Sequence, residues 1–211
     1  AIEERNPDIK FTRNDYGLVD VEENKHVFES VVSLDFPIWE GKDTLQLDHT
    51  EGLEYFTNLT SLNLDYVKID DVDLSHNKEL ESFSCVGTQI RYLDFGHNMK
   101  LKTVDCHDSE AYNLTFSTGN QLTSLDCTNC ALKNSWNIQD ISKCTSLQTL
   151  KISGNKLSSL NITKLTQLEN LICGNQKDDI SLELILTQTQ KAKWDSTWAA
   201  ANPNVTCTVT E

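Results

Sequence analysis

A leucine returns almost every 21 residues. Segments opening at Leu59, Leu80, Leu101, Leu122, Leu147 and Leu168 begin 21, 21, 21, 25 and 21 residues apart. Each reads L-x-x-L-x-(L/C/I), with Phe83 and Val104 taking the second leucine position in two copies. Val31-Val32-Ser33-Leu34-Asp35-Phe36 reads as an earlier, irregular copy. Self-similarity at this period marks a repeat array in which each unit is too small to bury its own apolar face.

Within each copy the x-L-x-(L/C/I)-x stretch alternates apolar and polar residues, as a strand with one buried face does. Stacked in parallel, the copies bury Leu62, Phe83, Val104, Leu125, Leu150 and Leu171 as one interior row. The second half of each unit carries its own apolar set: Ile69 with Val72 and Leu74, Ile90 with Leu93 and Phe95, Leu157 with Leu160 and Ile162. These residues are expected to return the chain along the convex side. The fourth unit is four residues longer, and a short helical turn on the convex side is expected where Lys133 to Ile138 runs into Gln139 to Cys144.

The repeat resembles a leucine-rich repeat. The predicted fold class is an α/β repeat solenoid, a right-handed leucine-rich-repeat superhelix with a parallel concave sheet. Such repeats place Asn three residues past the third apolar position, but here that column reads Val67, Thr88, Ser109, Cys130, Asn155, Gln176. The ladder is degenerate, so some turns must satisfy their buried backbone by other means. The stretch Glu51 to Leu64 resembles internalin-type repeat proteins. The Cys85, Cys106, Cys127, Cys173 column and the phrase Leu122-Thr123-Ser124-Leu125-Asp126-Cys127 resemble the secreted leucine-rich-repeat proteins of gut Bacteroidetes. That resemblance covers roughly residues 30 to 211. It implies export, often as a surface lipoprotein, and in most members no assigned activity. The first residue is Ala1, not Met, and a signal or lipoprotein leader is expected to have been removed. A lipid anchor outside this chain would be its one tie to a membrane.

Both ends are predicted to be capped, with residues 1–30 before the repeats of 31–179 and residues 180–211 after them. In the resembled family the first cap often looks like a worn calcium loop. Asn14 to Glu23 could match it, with Gly17 at the turn, but Thr12 and Tyr16 would then stand where carboxylates are wanted. A structural cap is expected, with no cofactor and no bound metal. At the other end Ile180 to Leu186 reads as a strand and Thr187 to Ala201 as a helix with Trp194 and Trp198 on one face. Val205 to Val209 reads as a last strand, completing a β-α-β lid.

Two motifs suggest chemistry and fail on geometry. Cys106-His107-Asp108 places the thiol and the imidazole on opposite faces of a strand, whereas a nucleophile and its base must touch. Cys127-Thr128-Asn129-Cys130 is a lone C-x-x-C without the second pair or the histidines a zinc site requires. Cys85, Cys106 and Cys127 are expected as free thiols, because neighbouring parallel strands hold their Cβ atoms too far apart for a disulfide.

Charge narrows the partners. With 18 basic and 32 acidic residues the formal charge is −14, which disfavours nucleic acid and anionic membranes. The outward strand residues form three columns on the concave face, the usual ligand surface of such solenoids. Asn63, Asp65, Ser84, Asp105, His107, Asp126, Thr128 and Lys151 are the candidate ligand-binding residues there, with Tyr66 and Tyr92 expected near the rims. The expected function is non-enzymatic recognition of a protein or carbohydrate outside the cell. The alternative is a structural spacer with no dedicated ligand.

Overall fold

A computed structural model describes residues 2–13, 19–36, 46, 50, 52–133 and 138–210. Residues 14–18 of the stretch Asn14 to Glu23, Gly17 among them, lie outside that set, as do 134–137 of the long fourth unit.

The short strands stack as the repeat requires. Seven pair in parallel in one sheet: β1 (Ser33–Asp35), β2 (Ser61–Asn63), β3 (Ser82–Ser84), β5 (Thr103–Asp105), β7 (Ser124–Asp126), β8 (Thr149–Lys151) and β10 (Asn170–Ile172). The register runs Leu34 to Leu62 to Phe83 to Val104 to Leu125 to Leu150 to Leu171. That is the single interior row read from the repeat, and every member is at most 2% exposed. Parallel rows lie to either side of it. Leu59, Leu80, Leu101, Leu122, Leu147 and Leu168 form one, and Leu64, Cys85, Cys106, Cys127, Ile152 and Cys173 form the other, all buried.

The convex return is more regular than expected. β4 (Tyr92–Phe95) pairs in parallel with β6 (Asn113–Phe116), and β9 (Ser159–Asn161), β11 (Leu182–Leu186) and β12 (Val205–Val209) form a third sheet. The apolar pairs assigned to the return face inward: Leu93 lies beside Leu114, and Phe95 stacks on Phe116 at 5.5 Å while its ring edge meets Phe83 at 5.7 Å. The chain therefore makes strands on the convex wall as well in several units, although Val72 and Leu74 alternate inward without forming one. The expected helical turn of the long unit is a 3₁₀ helix at Gln139–Lys143.

Side-chain amides join the coils where strands cannot. In the degenerate asparagine column, Asn155 donates to the Cys127 and Ile152 carbonyls and accepts from Leu132 N. Gln176 does the same one coil later, donating to Ile152 and Cys173 and accepting from Leu157 N. Thr88 and Cys130 substitute by turning a hydroxyl and a thiol to the Cys85 and Cys106 carbonyls. A second ladder, not anticipated from the repeat, runs on the convex side. Asn77 donates to the Leu53 and Phe56 carbonyls, Asn98 to Leu74 and Asn77, and Gln190 to Ile162 and Leu165. These buried amides satisfy carbonyls that would otherwise lose their water partners.

The ends are closed differently. At the start, Phe28 packs edge-on to Phe56 at 5.1 Å and tilted against Phe11 at 5.0 Å. The Asn24 amide clamps Thr12, accepting from its N–H and donating to its carbonyl. At the far end, α1 (Gln188–Lys193) starts from a capping box between Thr187 and Gln190 and widens through Trp194–Trp198, burying both tryptophans. Asn202 extends the amide ladder into this lid, accepting from Cys173 and Gly174 N–H and donating to Leu171 and Trp198. Gly174 is required there, because a Cβ would stand 2.8 Å from the Asn202 Cα.

Asn155→Ala is expected to lower stability by about 1–3 kcal/mol, since it leaves the buried Cys127 carbonyl without its amide donor and the buried Leu132 N–H without its acceptor. Asn155→Gln should recover part of the loss, as the native Gln176 spans the same gap. Urea unfolding of the three proteins measures both effects; equal stability of wild type and Asn155→Ala would mean that the ladder contributes nothing.

Candidate functional site

The candidate residues lie on five adjacent concave strands or their exits, and they fall into two groups. Asn63, Asp65 and Ser84 form the first. The Asp65 carboxylate accepts from Ser84 Oγ at 2.5 Å and from Val86 N at 2.8 Å. Strict alternation past Ser84 would turn Val86 outward, yet it is only 4% exposed. The alternation ends where the strand ends, and Asp65 folds across the coil boundary to take the Val86 N–H.

Asp105, His107, Asp126 and Lys151 form the second group, with Thr128 at its edge. His107 Nδ1 lies 2.6 Å from Asp105 Oδ1, and Lys151 Nζ lies 3.0 Å from Asp126 Oδ2. The Asp105 carboxylate raises the His107 pKa above its ordinary value, against a smaller opposing effect of burial. Burial would raise Asp126, but hydrogen bonds from Thr128 and Lys151 outweigh it and hold the carboxyl below its usual value.

A repeated backbone device explains why acids stand at these places. Asn63 accepts from Asp65 N–H, Asp105 from His107 N–H, and Asp126 from Thr128 N–H, each two residues on. The same bond recurs on the convex side at Asp73 to Ser75, Asp94 to Gly96 and Asn161 to Thr163. Such Asx turns end a strand and start a bend. The concave acids thus hold the turns first, and only their remaining lone pairs face solvent.

Asp105, His107 and Asp126 each bring one potential ligand atom within 4.8 Å of the others. Their contacts are already made by side chains: Asp105 holds His107 and Asp126 holds Lys151. A cation entering here would have to displace the Lys151 ammonium. The thiol-imidazole motif is divided as its alternation implied, since Cys106 is fully buried while His107 lies half-exposed on the concave face. All seven cysteines are unbridged.

The rim holds a feature the repeat did not disclose. After six of the seven concave strands, β2, β3, β5, β7, β8 and β10, one residue takes a left-handed backbone: Tyr66 (φ 58°), Gly87 (66°), Asp108 (57°), Asn129 (56°), Gly154 (67°) and Asn175 (52°). Gly, Asn and Asp tolerate this region, whereas a tyrosine there is an outlier. Tyr66 is 48% exposed, and its ring lies flat enough over Gly87 that a Cβ there would sit 2.7 Å from Cδ1. Tyr92 is not at the concave rim. It begins convex strand β4 and meets Tyr112 edge-on at 4.6 Å, because the return of that unit forms a strand and turns the residue outward.

A histidine pKa raised by folding stabilises the protein fully below its unfolded value and less as pH rises through the folded value. An NMR titration of His107 should give a midpoint above 6.5, and Asp105→Asn should lower it. The stability advantage of wild type over His107→Gln should be full below pH 6.5 and shrink as pH rises through the higher folded midpoint. A midpoint at or below 6.5 would contradict the pairing.

No family model matches the chain, and no curated protein sequence does. Solved structures do. The chain is similar to the LRIM1/APL1C complex at a TM-score of 0.60 and 17% identity, over 90% of this chain and 34% of that one. It is similar to the LRIM1 leucine-rich repeat domain at 0.60 and 18%, over 79% of this chain and 51% of that one. An internalin C2 from Listeria monocytogenes str. 4b F2365 matches at 0.55 and 17%, over all of this chain and 91% of its own. The chain thus spans about a third and about a half of the two LRIM1-containing structures. At these identities the likeness speaks to the fold alone, and the fold is that of a leucine-rich-repeat solenoid.

Proposed function

We propose that the chain is a non-enzymatic recognition module that holds a protein or carbohydrate ligand against its concave sheet. The observation that carries this reading is Tyr66. Five of the six left-handed rim positions hold residues suited to them, and one holds an exposed aromatic ring seated on a glycine. Backbone strain at a bulky side chain costs free energy and concentrates at functional sites. Tyrosine is also a preferred anchor of interfaces, because it offers a large rigid surface and a polar tip. Beside it Asp65, Asp105, His107, Asp126 and Lys151 supply charge on a sheet whose small Ser and Thr neighbours leave a ligand room to approach.

Export is proposed with this function, on the likeness of the repeats to secreted and surface-anchored proteins. Among the described residues no helix is long and apolar enough to cross a membrane. A spacer role would leave Tyr66 without a reason, which is why recognition is preferred.

The test must spare the turns. Asp105→Asn with Asp126→Asn keeps the turn acceptor at each strand exit and removes the charge, and Tyr66→Asn suits the left-handed backbone. Against a printed glycan array and a panel of purified extracellular proteins, the best wild-type binder should be held at least ~10-fold less tightly by the triple variant, about 1.4 kcal/mol. Undiminished binding would place the site elsewhere. No binder at all, together with concentration-dependent self-association, would favour the spacer.

A further inference from the structure

The centre of the solenoid holds a pair of thiols that the concave surface does not use. Cys106 Sγ lies 4.0 Å from Cys130 Sγ across neighbouring coils, 24 residues apart in the chain. Cys106 follows strand β5 as part of the buried cysteine column. Cys130 stands in the asparagine-ladder column, where it points its thiol inward at the Cys106 carbonyl, 3.1 Å away. Ser109 Oγ is 3.6 Å from the same sulfur. Within the C-x-x-C motif the two thiols point to different partners: Cys130 faces Cys106, whereas Cys127 turns its thiol toward the Lys151 carbonyl. Cys127 and Cys106 also sit side by side on parallel strands, the arrangement least suited to a bridge.

We propose that Cys106 and Cys130 form a peroxide-sensitive pair that closes into a disulfide between coils, and that the C-x-x-C motif is not the bridging unit. The oxidant is a hydroperoxide, small enough to reach a site where Cys130 retains 3% of its surface. Cys130 is the more acidic partner, because hydrogen bonds from Cys106 and Ser109 stabilise its thiolate. Cys106 is held high, first by its contact with Cys130 and then by burial. The Cys130 thiolate attacks one peroxide oxygen, the O–O bond breaks, and hydroxide leaves and takes up a proton as water. The resulting sulfenic acid is attacked by Cys106 sulfur. The S–S bond forms, the S–O bond breaks, and the departing oxygen leaves as a second water with the Cys106 proton. Two thiols and one hydrogen peroxide give one disulfide and two waters. Each sulfur loses one electron, and the peroxide oxygens gain two. The closure requires the sulfurs to approach from 4.0 Å to bonding distance, about 2 Å of travel, and requires the Cys130 thiol to leave the Cys106 carbonyl.

The bridge would tie the middle of the stack. In a solenoid each coil touches only its neighbours, so opening can begin at any weak interface. A covalent link between two central coils removes one such interface from the opening process, without altering the concave face.

The experiment uses the full chain carrying Cys207→Ser, since Cys207 is the one partly exposed thiol and would otherwise couple molecules together. The reduced, folded protein is treated with hydrogen peroxide, quenched, unfolded in iodoacetamide and mapped by mass spectrometry. Two of its six thiols should escape alkylation, in a cross-linked peptide joining Cys106 to Cys130, and the urea midpoint should rise. In the Cys106→Ala variant Cys130 should stop at the sulfenic acid, trapped by dimedone, with no bridge. The proposal is overturned by a Cys127–Cys130 or Cys106–Cys127 link. It is equally overturned by six alkylated thiols both after peroxide and after refolding with oxidised glutathione, or by a bridge to Cys127 forming at the wild-type rate in Cys106→Ala.

Discussion

Everything in this molecule depends on the parallel register between one coil and the next. Each concave strand is three residues long, too short to exist alone, and it persists because both neighbours present the same inward side chain at the same height. A one-residue slip would turn the Leu62 to Leu171 row to solvent and the Ser, Asn and Asp rows into the core. The register is held at three places. The strand ladder holds it on the concave wall, the amides of Asn155 and Gln176 hold it at the turn, and Asn77, Asn98 and Gln190 hold it on the convex wall. The lid joins the same system through Asn202, whose amide occupies the next rung.

That framework decides what the surface can offer. The acids that give the concave face its character are also the residues that end its strands. One oxygen of Asp105 and one of Asp126 accept from the backbone two residues on, and Lys151 and His107 engage the carboxylates further. The face is therefore stiff and internally paired, not a loose acidic sheet. Few groups are left to discriminate between ligands, and their geometry is set by the fold.

Much of this was legible in the sequence, for a physical reason. Repetition exposes burial directly, since a position that is apolar in every copy must face inward in every copy. The interior row, the outward columns and the separation of Cys106 from His107 follow from that alternation together with the period. The convex strands and the second amide ladder were harder to see. Asn77 and Asn98 recur at the repeat distance but lie between apolar clusters in a region with no fixed motif, and the column passes to other residue types after them. Val86 shows the limit of alternation: the strand stops at Ser84, and the next residues obey the turn. Tyr66 was visible only as an aromatic near an edge, because its backbone conformation emerges once Gly87, Asp108, Asn129, Gly154 and Asn175 are recognised as one left-handed column.

The column also shows how a repeat makes an exception stand out. In an irregular fold a tyrosine with a positive φ would be one local accident among many. Here five structurally equivalent positions report what the backbone prefers, namely a residue with no Cβ or with a short polar side chain. The sixth departs, and the coil after it carries glycine where the ring needs space. Gly87 suits its own left-handed backbone, as Gly154 does beside Asn129, and its missing side chain also leaves the Tyr66 ring its place. Packing alone would be better served by Asn at position 66, which fits the backbone without strain. The exposed ring is the part of that arrangement the fold does not need, and so the part to be explained by something outside the chain.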